Sequence, residues 1–161
     1  MVFYGLLLAS VMGSGSPDTD CTMQPPPLDI ATMHATRDVK SLVVDPSKLS
    51  ANMLLKDGSS VRVVNMGCQH SGSVARAWVM NPPSLSDSAA WIKEANKVAR
   101  IAFTPPQAKS FAEWIKNREL EKTDDQLAQE GTDQTEITYS IEVEPASMAM
   151  GSWLTISYSY P

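Results

Sequence analysis

The chain has 161 residues, of which 43% are apolar and 19% are charged, and its formal net charge is −5. This length fits one ordinary domain, and the apolar content is too high for an intrinsically disordered chain. Mean hydropathy is −0.17, and no apolar run approaches the roughly 18 residues that a membrane-spanning helix needs, which excludes a polytopic membrane protein.

The first residues have the pattern of an export signal. Residues 1–12 read MVFYGLLLASVM, and small and polar residues follow them. The positively charged start of such a signal is missing, because no Lys or Arg occurs before Arg37. The alternative is a buried first strand or helix. We expect residues 1–15 to be an export signal, residues 16–38 to be a Pro-rich N-terminal arm, and the chain to be periplasmic or secreted from the bacterial envelope.

Two cysteines, Cys21 and Cys68, occur in the whole chain. An even pair in an exported protein is most simply a disulfide, which here would tie the Pro-rich arm to the body of the domain. The alternative is a pair of free thiols, and it becomes the favoured interpretation if the chain is not exported.

Four short runs of β type begin after the arm. They are residues 39–44, 51–56, 60–66 and 73–80. Asp57-Gly58 is a two-residue hairpin signal between the second and third runs, and Gly67 and Gly72 flank the next reversal, where they permit a tight turn with positive φ angles. The sequence therefore predicts an antiparallel meander.

Helical periodicity replaces the strand pattern after Pro83. A helix capped by Ser86 or Asp87 and running to about Phe103 is predicted, followed by a second that starts near Pro106. The apolar stripes that face the sheet are Trp91, Ala95, Val98 and Ala102 in the first helix and Ala108, Phe111, Ala112 and Ile115 in the second.

The rest of the chain is polar at first and then strongly alternating. Residues 121–134 are interpreted as a fraying helix end and a mobile loop around Gly131, and residues 137–144 and 153–160 as two paired strands. The prediction is a single α+β domain over residues 39–161. It has a mainly antiparallel sheet in the order ββββ-αα-ββ, with two helices packed on one face.

Charge is distributed unevenly along the chain. Residues 119–144 contain nine acids and one base, a net charge of −8, whereas the remainder carries +3. Such a field accelerates encounter with a cationic protein, and the absence of a basic cluster disfavours nucleic acid. The predicted contacts in this segment are Asp124, Asp125, Glu130 and Asp133. The alternative is a solvated loop kept soluble by its charge.

Residues 68–70, Cys68-Gln69-His70, form the tip of a predicted hairpin. A Cys and a His two residues apart share a strand face, as a thiolate nucleophile and its base would, but a disulfide removes that thiolate. Gln69 and His70 are therefore predicted to be partner contacts instead.

Metal-ligating residue types are sparse and scattered. The candidates are His34, Cys68, His70, Met148 and Met150, whose soft sulfur atoms would favour Cu(I). Phosphate-binding glycine loops and the CxxC, HExxH and GxSxG motifs do not occur. We predict no catalytic residues, no metal and no cofactor.

The segment over residues 57–72 reads DGSSVRVVNMGCQHSG. It resembles a hairpin of small exported bacterial proteins, with DGxxVxV followed by GCxHxG. The resemblance implies an envelope location and a structural disulfide, and it implies no activity. Lysozyme inhibitors and immunity proteins share this size and compartment, although no diagnostic inhibitor motif occurs here.

The functional expectation follows from charge and compartment. It is a non-enzymatic periplasmic module that binds another protein, such as an inhibitor or immunity protein that blocks a cationic cell-wall-degrading enzyme. The alternatives are a small envelope hydrolase that uses Cys68 and His70, and a periplasmic protein that binds a soft metal. The oligomeric state is left open.

Overall fold

The structure, a computed structural model, describes residues 24–67, 71–123, 125–146 and 150–161. In this part of the chain it has three helices, α1 (Ile30–Ala35), α2 (Ser88–Ala102) and α3 (Pro105–Ile115). Its strands are β1 (Val39–Val44), β2 (Ser50–Leu55), β3 (Ser60–Met66), β4 (Gly72–Met80), β5 (Glu121–Lys122), β6 (Leu127–Thr132), β7 (Thr138–Pro145) and β8 (Gly151–Ser159).

All eight strands belong to one antiparallel sheet with the order β1-β2-β3-β4-β8-β7-β6-β5. Two four-stranded meanders, β1–β4 and β5–β8, meet where β4 pairs with β8, and the α2–α3 pair connects them in the chain. The predicted α+β class and antiparallel sheet are confirmed. The predicted hairpin at Asp57-Gly58 is also confirmed, with Gly58 at a φ of +88°, but its loop is longer than two residues because β2 ends at Leu55 and β3 begins at Ser60.

The acidic segment differs from its prediction. Residues 121–134 were expected to be a helix end and a loop, and this is wrong, because they contain β5 and β6. Leu127 is the one large apolar side chain of β6, and the strand also contains Ala, Glu and Gly, which are depleted in strands. Pairing with the strongly alternating β7 makes this stretch a strand, so a long-range contact overrides local preference.

Both predicted long helices are confirmed, and their sequences explain their ends. Asp87 caps α2 by accepting a hydrogen bond from the backbone N–H of Ala90 at 2.9 Å. Pro105 occupies the first turn of α3, where its missing N–H costs nothing. Trp91 is fully buried, and its indole Nε1 donates to the carbonyl of Ser84 at 3.2 Å. The stripe of α2 therefore faces the sheet, as predicted.

The core lies between the helices and one face of the sheet. Along β7 and β8, buried residues alternate with half-buried ones, so one face of each strand is covered. An aromatic cluster fills one end of this layer; its members are Phe103, Phe111, Trp114, Tyr139 and Tyr158. Ring centroids in this cluster are 4.8 to 6.0 Å apart, the range of favourable aromatic contacts.

Gly72 lies inside β4, where a Cβ would come 2.2 Å from the backbone carbonyl oxygen of Tyr158 on β8. It does not use the positive φ that glycine permits, because Gly58 is the one glycine of the described residues with such an angle. Gly72 is required by the close approach of β4 and β8.

The described part of the arm, residues 24–38, packs on the domain. Leu28 and Met33 are buried in the core, and Asp29 caps α1 by accepting from the backbone N–H of Thr32. Asn65 on β3 donates to the carbonyl of Pro26 at 2.9 Å. The predicted export signal and Cys21 lie outside the described residues. Within the described ranges, none of the helices is long and apolar enough to cross a membrane.

Candidate functional site

The sheet face opposite α2 and α3, here called the open face, is covered by none of the described residues. Its side chains alternate along each strand with the buried residues of the core. One row crosses five neighbouring strands in register. This row consists of Asn52, Arg62, Arg76, Thr155 and Glu142. The open face is therefore a broad polar surface on a rigid sheet.

Two tryptophans stand at the centre of the open face. Trp78 on β4 and Trp153 on β8 are direct cross-strand partners, with ring centroids 5.0 Å apart and an interplanar angle of 66°. A Cβ at Gly151 would lie 2.3 Å from the Trp78 ring, so glycine lets this indole lie across β8. Both tryptophans are only half-buried, and the pair offers an aromatic surface at the seam between the two meanders.

Arg76 extends the aromatic pair with a positive charge. Its guanidinium carbon lies 4.5 Å from the centre of the Trp153 ring, and its Nη2 is 3.0 Å from Oε2 of Glu144. The side chains of Arg76 and Glu144 are 51% and 44% exposed, so this ion pair contributes little to stability. Its effect is to hold the guanidinium over the indole. Arg and Trp arranged in this way are the residue types that dominate binding energy at protein interfaces.

The acids of the second meander surround one side of this centre. Four of them belong to the open face by strand register, namely Glu121, Glu130, Glu142 and Glu144. A shallow depression of about 500 Å³ lies between β5, β6 and β7, and Glu121, Glu130 and Glu142 are among its lining residues. Strand pairing therefore converts a run of acids in the sequence into an acidic half of the open face.

The predicted contact residues occupy different places. Glu130 lies on the open face, and Asp125 is exposed in the turn between β5 and β6. Asp133 lies in the β6–β7 turn beside α3 and lines a separate pocket of about 790 Å³ that includes Lys109 and Trp114. Gln69, His70 and Asp124 lie outside the described residues.

Asp133 has a local structural role. Its Oδ1 accepts from the backbone N–H of Thr135 at 2.8 Å, from the Thr135 hydroxyl at 2.7 Å and from the backbone N–H of Ile137 at 3.1 Å. Partial burial acts to raise the pKa of Asp133, but these hydrogen bonds outweigh it and hold the pKa below its usual value. Asp133 is thus an ionised carboxylate that stabilises a turn.

Comparison with known protein families, curated proteins and solved structures finds no match for this chain. The functional interpretation therefore depends on the chemistry of the open face itself.

The sequence analysis did not identify the central residues, although the sequence of β4 alternates large and small side chains. Arg76 and Trp78 alternate with Ala75 and Ala77, and the structure buries the two alanines. Large side chains that alternate with alanines indicate that the small residues face a covered layer and the large ones face outward. The signal was present in the sequence, but the pairing with Trp153 requires the β4–β8 register.

Metal-ligating residues do not converge within the ranges that the structure describes, where no group of three or more His, Cys, Asp or Glu residues could hold an ion. His34 is exposed on α1, and Met150 is 72% exposed. The hydrolase and metal alternatives also require residues that lie outside the described part of the chain, namely Cys68, His70 and Met148.

Proposed function

We propose that this chain is a non-enzymatic exported protein that binds another protein through its open face, as an inhibitor or immunity protein that occludes a cationic enzyme of the cell wall. The observation that carries this proposal is the Trp78–Trp153 pair with Arg76, beside the acidic half of the open face. Trp and Arg side chains that are accessible on a surface are typical of binding anchors, and surrounding charges are typical of an interface rim.

The dimensions of the open face support a protein as the partner. Neighbouring strands lie about 4.8 Å apart and a six-residue strand is about 20 Å long, so eight strands present roughly 700 Å². A stable protein–protein interface buries about 800 Å² on each partner. The depressions on the open face are shallow, and this shape favours the surface of a folded protein over a small ligand, which is usually held in a deep concave pocket.

The charges of the open face support a particular arrangement of the partner. Glu130 and Glu142 lie toward one edge of the sheet, and they favour a partner with Lys or Arg opposite that edge. Arg62, at the centre, makes no ion pair with any described residue, and it favours a carboxylate or carbonyl oxygen opposite. The proposed partner therefore has Lys or Arg side chains opposite the acidic edge and a hydrogen-bond acceptor opposite Arg62. This pattern of charges would favour one docking orientation.

The first part of the test is to identify the partner. Chemical cross-linking in envelope extracts, followed by mass spectrometry, would identify candidate partners and the cross-linked residues. The proposal expects an enzyme of the cell wall among them, and its activity should fall when the purified protein is added. A confirmed partner that is cross-linked only through the helical side would contradict the proposal.

The second part measures the kinetics of binding to that partner. Because Trp153 and Arg76 are placed at the centre, Trp153→Ala and Arg76→Ala should each raise the dissociation rate by about tenfold or more. The double variant Glu130→Gln/Glu142→Gln should mainly slow association, and added salt should remove the difference. The matched control Glu113→Gln/Glu119→Gln changes two exposed acids outside the open face.

Two results would overturn the proposal for the open face. One is an equal decrease of the association rate in Glu130→Gln/Glu142→Gln and in the control Glu113→Gln/Glu119→Gln. The net charge of the protein, and not the open face, would then explain the association rate. The other is loss of binding in His70→Ala with no effect of Trp153→Ala, because the contact would then involve His70 and not the open face.

A further inference from the structure

A groove runs between α2 and α3, on the side of the molecule opposite the open face. We call it the helix groove, and its volume is about 820 Å³. Its lining residues follow helical spacing on both sides, from Ala89 to Arg100 on α2 and from Pro105 to Ala112 on α3. Ala89, near the start of α2, and Ala112, near the end of α3, line the same groove, so the two helices run side by side in opposite directions.

The floor of the helix groove is apolar and made mostly of small side chains. Ala89, Ala108 and Ala112 project only a methyl group each, and Ile92 adds the one large apolar surface. Small residues allow the backbone of a packed helix to approach closely, at the short end of the usual interaxial distance of about 8–10 Å. The floor is therefore shaped for an element with a narrow apolar ridge.

The rim of the helix groove is entirely cationic. Lys93, Arg100 and Lys109 line it, and no acid does. None of the three makes an ion pair with a residue that the structure describes, whereas the nearby Lys97 is paired with Asp57 and Glu94. An occupant would therefore bring negative charge.

We infer that the helix groove binds an acidic amphipathic helix of a partner protein. From Ala89 to Arg100 the groove extends eleven residues along α2, about 16 Å at 1.5 Å per residue, which is three helical turns. Lys93 and Arg100 are seven residues apart, or about two turns, so acids at seven-residue spacing on the bound helix would meet both. The apolar ridge of that helix would pack on the alanine floor, and Lys109 would pair with an acid on its other side.

Other occupants fit less well. A second copy of this chain, docked groove to groove, would place the three rim cations against the same cations of the other copy. Neither α2 nor α3 presents an acidic outer face to the groove of another copy. A flat anionic membrane surface would contact the rim but leave the concave alanine floor unfilled.

The test uses fluorescence anisotropy with the full chain and two labelled synthetic peptides. One is an 18-residue amphipathic helix with a Leu/Ala ridge and Glu at seven-residue spacing, and the other has Lys in place of each Glu. The acidic peptide should bind and the basic peptide should not. Charge reversal of the rim, in Lys93→Glu/Arg100→Glu/Lys109→Glu, should weaken the binding about tenfold or more.

The matched control is Arg37→Glu/Lys40→Glu/Lys56→Glu, which reverses three exposed cations away from the helix groove and leaves the net charge equal to that of the rim variant. Ala89→Gln adds bulk to the exposed end of the floor without changing charge, and it should also weaken the acidic peptide. Thermal denaturation of each variant establishes that the fold is retained. Equal loss of binding in the rim variant and the matched control would overturn the inference, since general charge would then account for it.

Two further measurements discriminate the other occupants. The first is binding to vesicles of phosphatidylglycerol and phosphatidylcholine. If the protein binds these vesicles, the rim variant does not, and the acidic peptide does not bind the protein, the groove is assigned to a membrane and the inference is overturned. A dimer in sedimentation velocity that the rim variant abolishes would assign it to a second copy, with the same consequence. Monomeric protein that binds the acidic peptide and no vesicles is the expected result.

Discussion

Replacement of Trp91 by Ala tests whether α2 covers the sheet as described. Trp91 is the largest of the fully buried side chains, with 0% exposure, and removing so large a core residue costs about 3–5 kcal/mol. Its indole N–H donates to the carbonyl of Ser84, a residue exposed to solvent. Water can replace the indole there, so the lost bond adds little. We expect the free energy of unfolding to fall by about 4 kcal/mol, with the transition temperature lower by roughly 8–16 °C.

The measurement is urea denaturation followed by far-UV circular dichroism, because tryptophan fluorescence would change with the number of tryptophans. Trp91→Phe keeps most of the packing and should cost about 1–2 kcal/mol. Trp153→Ala is the matched control on the open face, and as a half-buried residue it should cost about half as much as Trp91→Ala. A loss below roughly 1.5 kcal/mol in Trp91→Ala, or one equal to that of the control, would refute the packing of α2 on the sheet.

Three further predictions concern the sheet, its tyrosines and the cysteines. Gly72→Ala should lower the free energy of unfolding, measured by urea denaturation, by about 3 kcal/mol or more, because the new Cβ would meet the backbone of β8. The control Gly131→Ala should lower it by under about 1 kcal/mol, because the nearest atom to a Cβ there is 3.5 Å away. Burial raises the pKa of Tyr158 from 10.0 to about 12, so the folded state holds the phenolic proton more tightly than the unfolded state does. The free energy of unfolding should therefore fall as the pH rises from about 10 through 12. Tyr158→Phe should make this decline less steep. Alkylation under non-reducing, denaturing conditions should add no mass if Cys21 and Cys68 form the predicted disulfide, and two added labels would contradict it.

The parts of the fold that sequence analysis could predict are those with a clear local period. Ile141 and Val143 alternate with acids on β7, and Trp91 and Val98 recur at helical spacing on α2, so both elements follow from the sequence. β6 could not be predicted, because its strand state depends on pairing with β7. The helix α1 was missed for a related reason. It has only six residues, and the packing of Met33 on the core contributes more than its local preference.

The candidate site was predictable only in part. The acidic charge of residues 119–144 is visible in the sequence, and so is the outward face of Arg76 and Trp78. What the sequence does not contain is the register that places Trp153 beside Trp78, since these residues are far apart in the chain. The same register separates Glu130, on the open face, from Asp133, in a turn on the helical side. Proximity in sequence is therefore a poor guide to which acidic residues lie on the same surface of the protein.

The seam between β4 and β8 has a consequence for the order in which the chain folds. Each meander is built from short-range contacts, whereas the seam pairs residues that are far apart in the chain, such as Gly72 and Ser159. Closing so long a loop has a large entropic cost, and folding slows as the separation between contacting residues grows. We therefore expect the seam to form late in folding. The α2–α3 pair connects the two meanders, and once it has folded it should hold β4 and β8 closer together than an extended chain would. Variants at the seam would then mainly accelerate or retard the final docking of two preformed halves.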